Sequence, residues 1–320
     1  MQIIPDRRTF LAGLSVWFFV LAPAMAGEEL SIDKLEVQAK IPVGGDFMAF
    51  GFDSLWMMSG ARMMRVNPAD NSVTEIKVDG ALGSYRGIAV GEGAIWIPAT
   101  GSKTIYKLDP ITNSVVRQLA VDFYDSEGSI GVGEDAVWIV AAGEKFHAVL
   151  TRFNSETGAL EANIPLEQGS IAALVDFGSV WVTNNQTNEL YRIDPKTNSV
   201  VSATSLHERP RFLASGEGAI WVLNQGDATV QRVDGKTGTV VATIETVSGY
   251  RGGGEIVVGG GYVWVTLTGD LDTYPVVQID PKTNTLLRMF KGYGMGDAIR
   301  YGAGSLWVSG SNIFRIKPPD

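Results

Sequence analysis

Beyond residue 26, tryptophan occurs only as Trp56, Trp96, Trp138, Trp181, Trp221, Trp264 and Trp307, at intervals of 40, 42, 43, 40, 43 and 43 residues. Each closes the same kind of phrase: GFDSLW, GEGAIW, GEDAVW, DFGSVW, GEGAIW, GGGYVW and GAGSLW. A period near forty residues is too long for one helix or hairpin. It is the length of a supersecondary unit that stacks into a propeller or solenoid.

The content of one period decides between these. In residues 211–247, RFLAS, AIWVLN, TVQRVD and VVATIETV are short apolar-rich runs separated by GEG, QGDA and GKTG. Four short strands joined by tight turns make one antiparallel blade. No stretch after residue 26 sustains the 3.6-residue apolar period of a helix. The turn chemistry agrees, because NPADNS, DPITNS, NSETGA, DPKTNS, DGKTGT and DPKTNT stand at equivalent places. Proline presets φ for the turn, and the Asn or Gly three residues on tolerates the left-handed conformation a bulged hairpin needs. The last repeat stops after three strands at FRIKPPD, whereas KLEVQAKIPVGG (34–45) reads as an unattached fourth strand. The chain is therefore all-β: a seven-bladed β-propeller of four-stranded antiparallel blades, its ring closed by an N-terminal strand. Closure removes the two open sheet edges of an incomplete array. A tryptophan at one place in every blade serves seven interfaces rather than one ligand, and it is expected to fill the wedge between blades.

The N-terminus reads separately. Arg7 and Arg8 precede an apolar run that ends at Ala24-Met25-Ala26. This is the layout of an export signal with a small-residue cleavage site, and R-R-x-F-L resembles the twin-arginine pattern. Asp6 replaces its usual Ser/Thr and Ala12 its usual Lys. Residues 1–26 are thus expected to be a twin-arginine-like export signal, and 27–320 a single propeller domain. The mature chain would be periplasmic or secreted, with no membrane span left. The net charge of −9 and pI near 4.9 exclude a basic nucleic-acid footprint. With no Cys there is no thiol nucleophile and no Cys-ligated metal. Nothing points to an oligomer, so a monomer is the default.

Function is expected where the repeats stop agreeing. Ten residues before each tryptophan stand Asp46, Arg86, Gly128, Ile171, Arg211, Gly254 and Asp297. In a propeller this position lies at the channel mouth, where ligand sites collect. Glu127, Arg209, Arg251, Glu255 and Arg300 lie close by in sequence. His207 and His147 belong to loops of the same face, and Asn184 and Asn224, just after the second strand, are expected to point there. The candidate ligand-binding set is Asp46, Arg86, Glu127, Arg209, Arg211, Arg251, Asp297, Asn184 and Asn224. Its arginines suit bidentate capture of a carboxylate or phosphate. A self-neutralising solvated rim is the alternative. His207, His147 and Glu255 are the candidates for catalysis, since proton transfer needs a group that titrates near neutrality. No H-x-x-x-H or D-x-D-x-D pattern follows the signal, and GDLDTY (269–274) alone is a poor calcium loop. No cofactor or metal is therefore expected, a divalent cation remaining as an alternative.

The phrases VWVTNNQTNELYRIDPKTNSVV (180–201) and AIWVLNQGDATVQRVDGKTGTVV (219–241) resemble the YVTN-type seven-bladed propellers. They are also similar to the streptogramin (virginiamycin B) lyase-like proteins, over essentially residues 34–317. The resemblance implies the fold but many functions. It implies for the lyases a general acid–base His beside a Glu-x-His pair and Mg²⁺. Here no Glu-x-His occurs: Glu208 follows His207, and Lys145-Phe146 precede His147. Those roles therefore do not transfer. Lactonase-type relatives hold Ca²⁺ or Zn²⁺ with inward acids and amides, a set that Glu127, Asn184, Asn224 and Asp297 would have to mimic amid arginines. The leading expectation is an exported, non-catalytic propeller binding a partner protein or small anionic ligand at the charged mouth. A metal-dependent lyase or hydrolase, and an accessory subunit of a periplasmic cofactor enzyme, are the alternatives.

Overall fold

The computed structural model describes residues 27–78, 87–123, 129–143, 147–247, 252–269 and 273–320. Residues 1–26, expected to be an export signal, lie outside them. Seven antiparallel sheets follow one another, each running from an inner to an outer strand. Blade five is typical: Pro210–Gly216, Ala219–Asn224, Thr229–Asp234 and Val240–Ile244 pair in sequence order. No α-helix occurs among the described residues.

The turns explain why the strands reverse where they do. The residue three places after the turn's proline, or after its Ser or Gly equivalent, has positive φ in all six copies: Asn71, Asn113, Gly158, Asn198, Gly238 and Asn284. The hairpin before each tryptophan needs two such residues, and Glu217 (52°) and Gly218 (72°) provide them in blade five. This is the twist-matched hairpin turn. Blade one forms it with Phe52 and Asp53, and blade three with Glu134 and Asp135, without glycine.

The N-terminal strand Val37–Ile41 pairs antiparallel with Ile313–Ile316 and completes blade seven. The segment before it does more than the sequence indicated. Glu28–Ser31 adds parallel to Thr285–Lys291, giving blade six an extra outer strand, and Tyr274 donates 3.0 Å to Glu29. The chain end thus clasps two blades.

All seven tryptophans are fully buried. Each packs into the gap towards the next blade, as Trp221 does against Ile256 and Val263, and Trp307 against Met48 and Leu55. Each indole N–H donates to the carbonyl five residues upstream, at 2.9–3.2 Å. Opposite each indole across the strand pair stands Arg65, Lys107, Arg152, Arg192, Arg232, Gln278 or Arg315. The six cations lie 4.7–5.4 Å from the ring centroids. All seven then donate across the gap to a carbonyl of the following blade, at 2.5–3.1 Å: Pro110, Ser155, Pro195, Lys236, Pro281, Pro319 and Pro68. A belt of clamps therefore encircles the molecule. In blade seven the usual turn is cut by the chain ends, and Pro319 of the C-terminal tail supplies its carbonyl to Gln278.

Candidate functional site

Inside the ring, the inner strands surround a cavity of about 360 Å³. Its wall is mostly apolar, with Phe47, Ile88, Ile130, Leu174, Phe212, Leu213 and Ile256, and among the described residues only Glu255 and Arg300 bring charge into it. At the far end, Phe50, Val90, Val132, Val175, Ser215, Val258 and Tyr301 occupy the equivalent position, six residues before each tryptophan. Glycine follows six of them and leaves room for the next blade's side chain: a Cβ on Gly302 would collide with Phe50, and one on Gly216 with Val258. The exception is Asp176 in blade four, and the ring residue after it, in blade five, is the small Ser215.

At the mouth the ladder is irregular. The pairing of inner and second strands slips between Asp46 and Met48, Ser170 and Ala173, Pro210 and Leu213, and Met295 and Ile299. In blade six the inner strand is interrupted between Gly252–Gly253 and Ile256–Gly259. Bulges re-aim side chains, which is how the mouth residues leave the common pattern. Phe47 adopts φ of 54°, and its N–H is bonded by Asp46 Oδ1 at 2.9 Å. Buried hydroxyls two residues after the tryptophans satisfy the displaced main chain. Thr183 donates to the Arg211 carbonyl at 2.7 Å, Thr266 accepts from Glu255 N at 2.8 Å and donates to the Asp297 carbonyl at 3.0 Å, and Ser309 accepts from Ala298 N at 2.8 Å. Sequence reasoning passed over these hydroxyls. Their signal was Thr or Ser in WVTN, WVTL and WVSG, where other repeats carry Met58, Pro98, Val140 or Leu223.

The candidate residues fall into four groups. Asp46, Arg211, Glu255 and Asp297 are brought to the mouth by the irregular segments. Arg211 lies over the Phe212 ring at 5.4 Å. Glu255 is buried and paired with Arg300. Partial burial, reinforced by the neighbouring charge of Asp46, holds the Asp297 carboxyl above the usual carboxylate range. Arg209 belongs to the same face in an exposed loop, its main chain tied to Asn188 Oδ1 and Gln225 N.

The amides are corrected. Asn184 and Asn224 are wholly buried rather than presented to the mouth. Asn184 donates to Gln168 O and caps Gln186 N and Thr187 N, and Asn224 donates to Thr229 and Gln231. Their place at a strand end, where main-chain groups need partners, explains this use.

The histidines lie away from the channel. His147 is exposed beside a recess at the outer margin of blades three and four, with Leu166, Glu167 and Tyr191. His207 Nδ1 is 2.9 Å from Asp227 Oδ2, on a loop whose main-chain N–H is held by Gln231. Burial opposes the charge of Asp227, but hydrogen bonds from Thr229 and His207 outweigh it and keep that carboxyl below its usual range. Arg86, Glu127 and Arg251 lie outside the described residues. Among the described residues no three His, Asp or Glu side chains gather as metal ligands. No helix there is long and apolar enough to cross a membrane.

No protein-family model matches the sequence, and none of the curated proteins does. Solved structures match in shape. A streptogramin B lyase aligns at TM-score 0.72 and 17% identity, covering 88% of this chain and 95% of its own. A catalytically inactive histidine-to-alanine variant of virginiamycin B lyase from Staphylococcus aureus, with quinupristin, aligns at 0.71 and 13%, covering 89% and 98%. BamB from Moraxella catarrhalis aligns at 0.57 and 14%, covering 87% and 85%. At these identities the likeness is one of fold: the chain is built on the same propeller architecture as the streptogramin B lyases.

Proposed function

We propose that this chain is an exported binding propeller, periplasmic or secreted, that captures a partner protein or a small anionic ligand at the channel mouth without catalysing a reaction. One observation carries the reading: an apolar cavity of about 360 Å³ opens on a mouth where Arg211 stands over Phe212. Such a cavity lies within the size range of ligand pockets, and a few polar groups at its lip are what fix orientation. Its aromatic lip would hold an apolar body while Arg211, helped by Arg209, meets the anionic group. Arg86 and Arg251 are proposed to share that role. Among the described residues, the channel wall carries no histidine, and its one carboxylate, Glu255, is engaged by Arg300.

The test is thermal stabilisation of the signal-free protein by phosphate, citrate and 3-phenylpropionate. At a hundredfold excess over Kd a bound ligand adds about 2.7 kcal/mol. The expected result is a clear upward shift that Arg211→Ala removes. Equal shifts in both proteins would contradict the reading.

A metal-dependent lyase or hydrolase at the same face is favoured by one feature, the His207–Asp227 pair. Asp227 fixes one ring nitrogen and leaves the other free to exchange a proton. Turnover that requires a divalent ion and disappears in His207→Ala would establish this alternative.

A further inference from the structure

Arg300 stands out among the cavity residues by how completely it is held. It projects from the inner strand of blade seven, where its Nε donates to Met48 O of blade one at 2.5 Å. Its Nη1 donates to Ile299 O at 2.6 Å and to the Glu255 carboxylate of blade six. These three bonds engage Nε and Nη1 and fix the plane of the guanidinium. Nη2, with two N–H groups, has no acceptor among the described residues, and Arg300 makes no further contact there. Nη2 is not among the buried atoms that lack a partner. The side chain keeps 24% of its surface exposed and lines the cavity with Phe47, Phe212 and Leu213. A rigid charged donor therefore faces a chamber whose described wall is mostly apolar apart from its partner Glu255.

Resting on the reading that the channel mouth is a binding site, we infer that Arg300 orients the ligand, and that the ligand carries an acceptor oxygen on an apolar body small enough to enter the channel. The donor is already ordered, so a ligand gains its hydrogen bond without the entropy of immobilising a long side chain. Glu255 neutralises the charge, so the acceptor need not be ionised: an amide oxygen and a carboxylate oxygen both satisfy Nη2. Asp46 and Asp297 at the lip make no ion pair with a described residue and favour the neutral form, whereas Arg211 favours the ionised one.

Three probes with similar apolar bodies separate the possibilities: 3-phenylpropanamide, 3-phenylpropionate and phenethylamine. Calorimetric titration of the wild-type protein is expected to detect the amide, the carboxylate or both, and not the amine. Because Arg300 also ties blades six, seven and one together, two variants are used. Arg300→Lys keeps the charge and should weaken the oxygen-bearing probes about tenfold or more, the scale of a lost charge-assisted hydrogen bond. Val175→Phe leaves Arg300 untouched and repeats in blade four the size of Phe50 at the same ring position. It should block the probes while the melting temperature stays within the spread of repeat measurements. Unchanged affinity in Arg300→Lys, or amine binding as tight as amide binding, overturns the inference and leaves the binding site standing. No binding of any probe to the wild-type protein overturns both.

Discussion

The belt and the mouth of this propeller are built by the same seven blades yet follow opposite rules: the belt lies on their second and third strands, the mouth on their inner strands. At the belt, seven repeats do the same thing: an indole fills the gap, a long polar side chain covers it, and a carbonyl of the next blade receives a hydrogen bond. At the mouth, equivalent positions hold Asp46, Ile171, Arg211 and Asp297, on segments where the ladder slips. Repetition marks what every interface needs. Divergence marks positions that the fold leaves unspecified, and those are where ligand chemistry can be written.

The comparison can be broken at several points. Trp221→Ala should cost about 3–5 kcal/mol through the cavity it leaves, read as a shift in the denaturant midpoint. Arg232→Ala loses its stacking and its bonds to Pro281 O and Asn284 Oδ1, and should cost roughly 1.5–3 kcal/mol. Arg232→Gln should cost less, because Gln278 already fills that role in blade six. Deleting residues 318–320 removes the Pro319 carbonyl from the clamp of blade six and should cost about 1 kcal/mol. A deletion as costly as Trp221→Ala would mean that the tail does more than replace a missing turn.

The smallest effect belongs to the mouth and depends on pH. Because the folded-state pKa of Asp297 lies above its unfolded value, folding favours its protonated form. The unfavourable contribution is therefore present at neutral pH and fades as pH falls through the folded pKa. Asp297→Asn should raise stability slightly at pH 7, by roughly 0.5 kcal/mol or less, and not at pH 3. A loss of stability at pH 7 would show that the carboxylate is a structural anchor instead.

The belt was legible in the sequence because its signals are local and repeated. Trp spacing fixed the period, Pro-x-x-Asn fixed a turn, and an unattached strand at 34–45 pointed to ring closure. The clamp cations were equally visible, two residues before the turn's Asp in YRIDP and QRVDG, but their meaning needs the neighbouring blade, which is remote in sequence. The mouth was legible only as a list of divergent positions. Whether an amide there faces a channel or caps a turn depends on strand-end geometry, and Asn184 and Asn224 turned inward for that reason. Glu28–Ser31 was unreadable because a short charged segment has no partner within its own repeat.

The most direct measurement sets the two regions side by side: denaturant midpoint and 3-phenylpropionate affinity for Trp221→Ala and Arg211→Ala. The account predicts that Arg211→Ala abolishes binding with a stability change under about 1 kcal/mol, while Trp221→Ala loses several kcal/mol and still binds where it remains folded. Arg211→Ala destabilising as severely as Trp221→Ala, or binding as tightly as the wild-type protein, would contradict it.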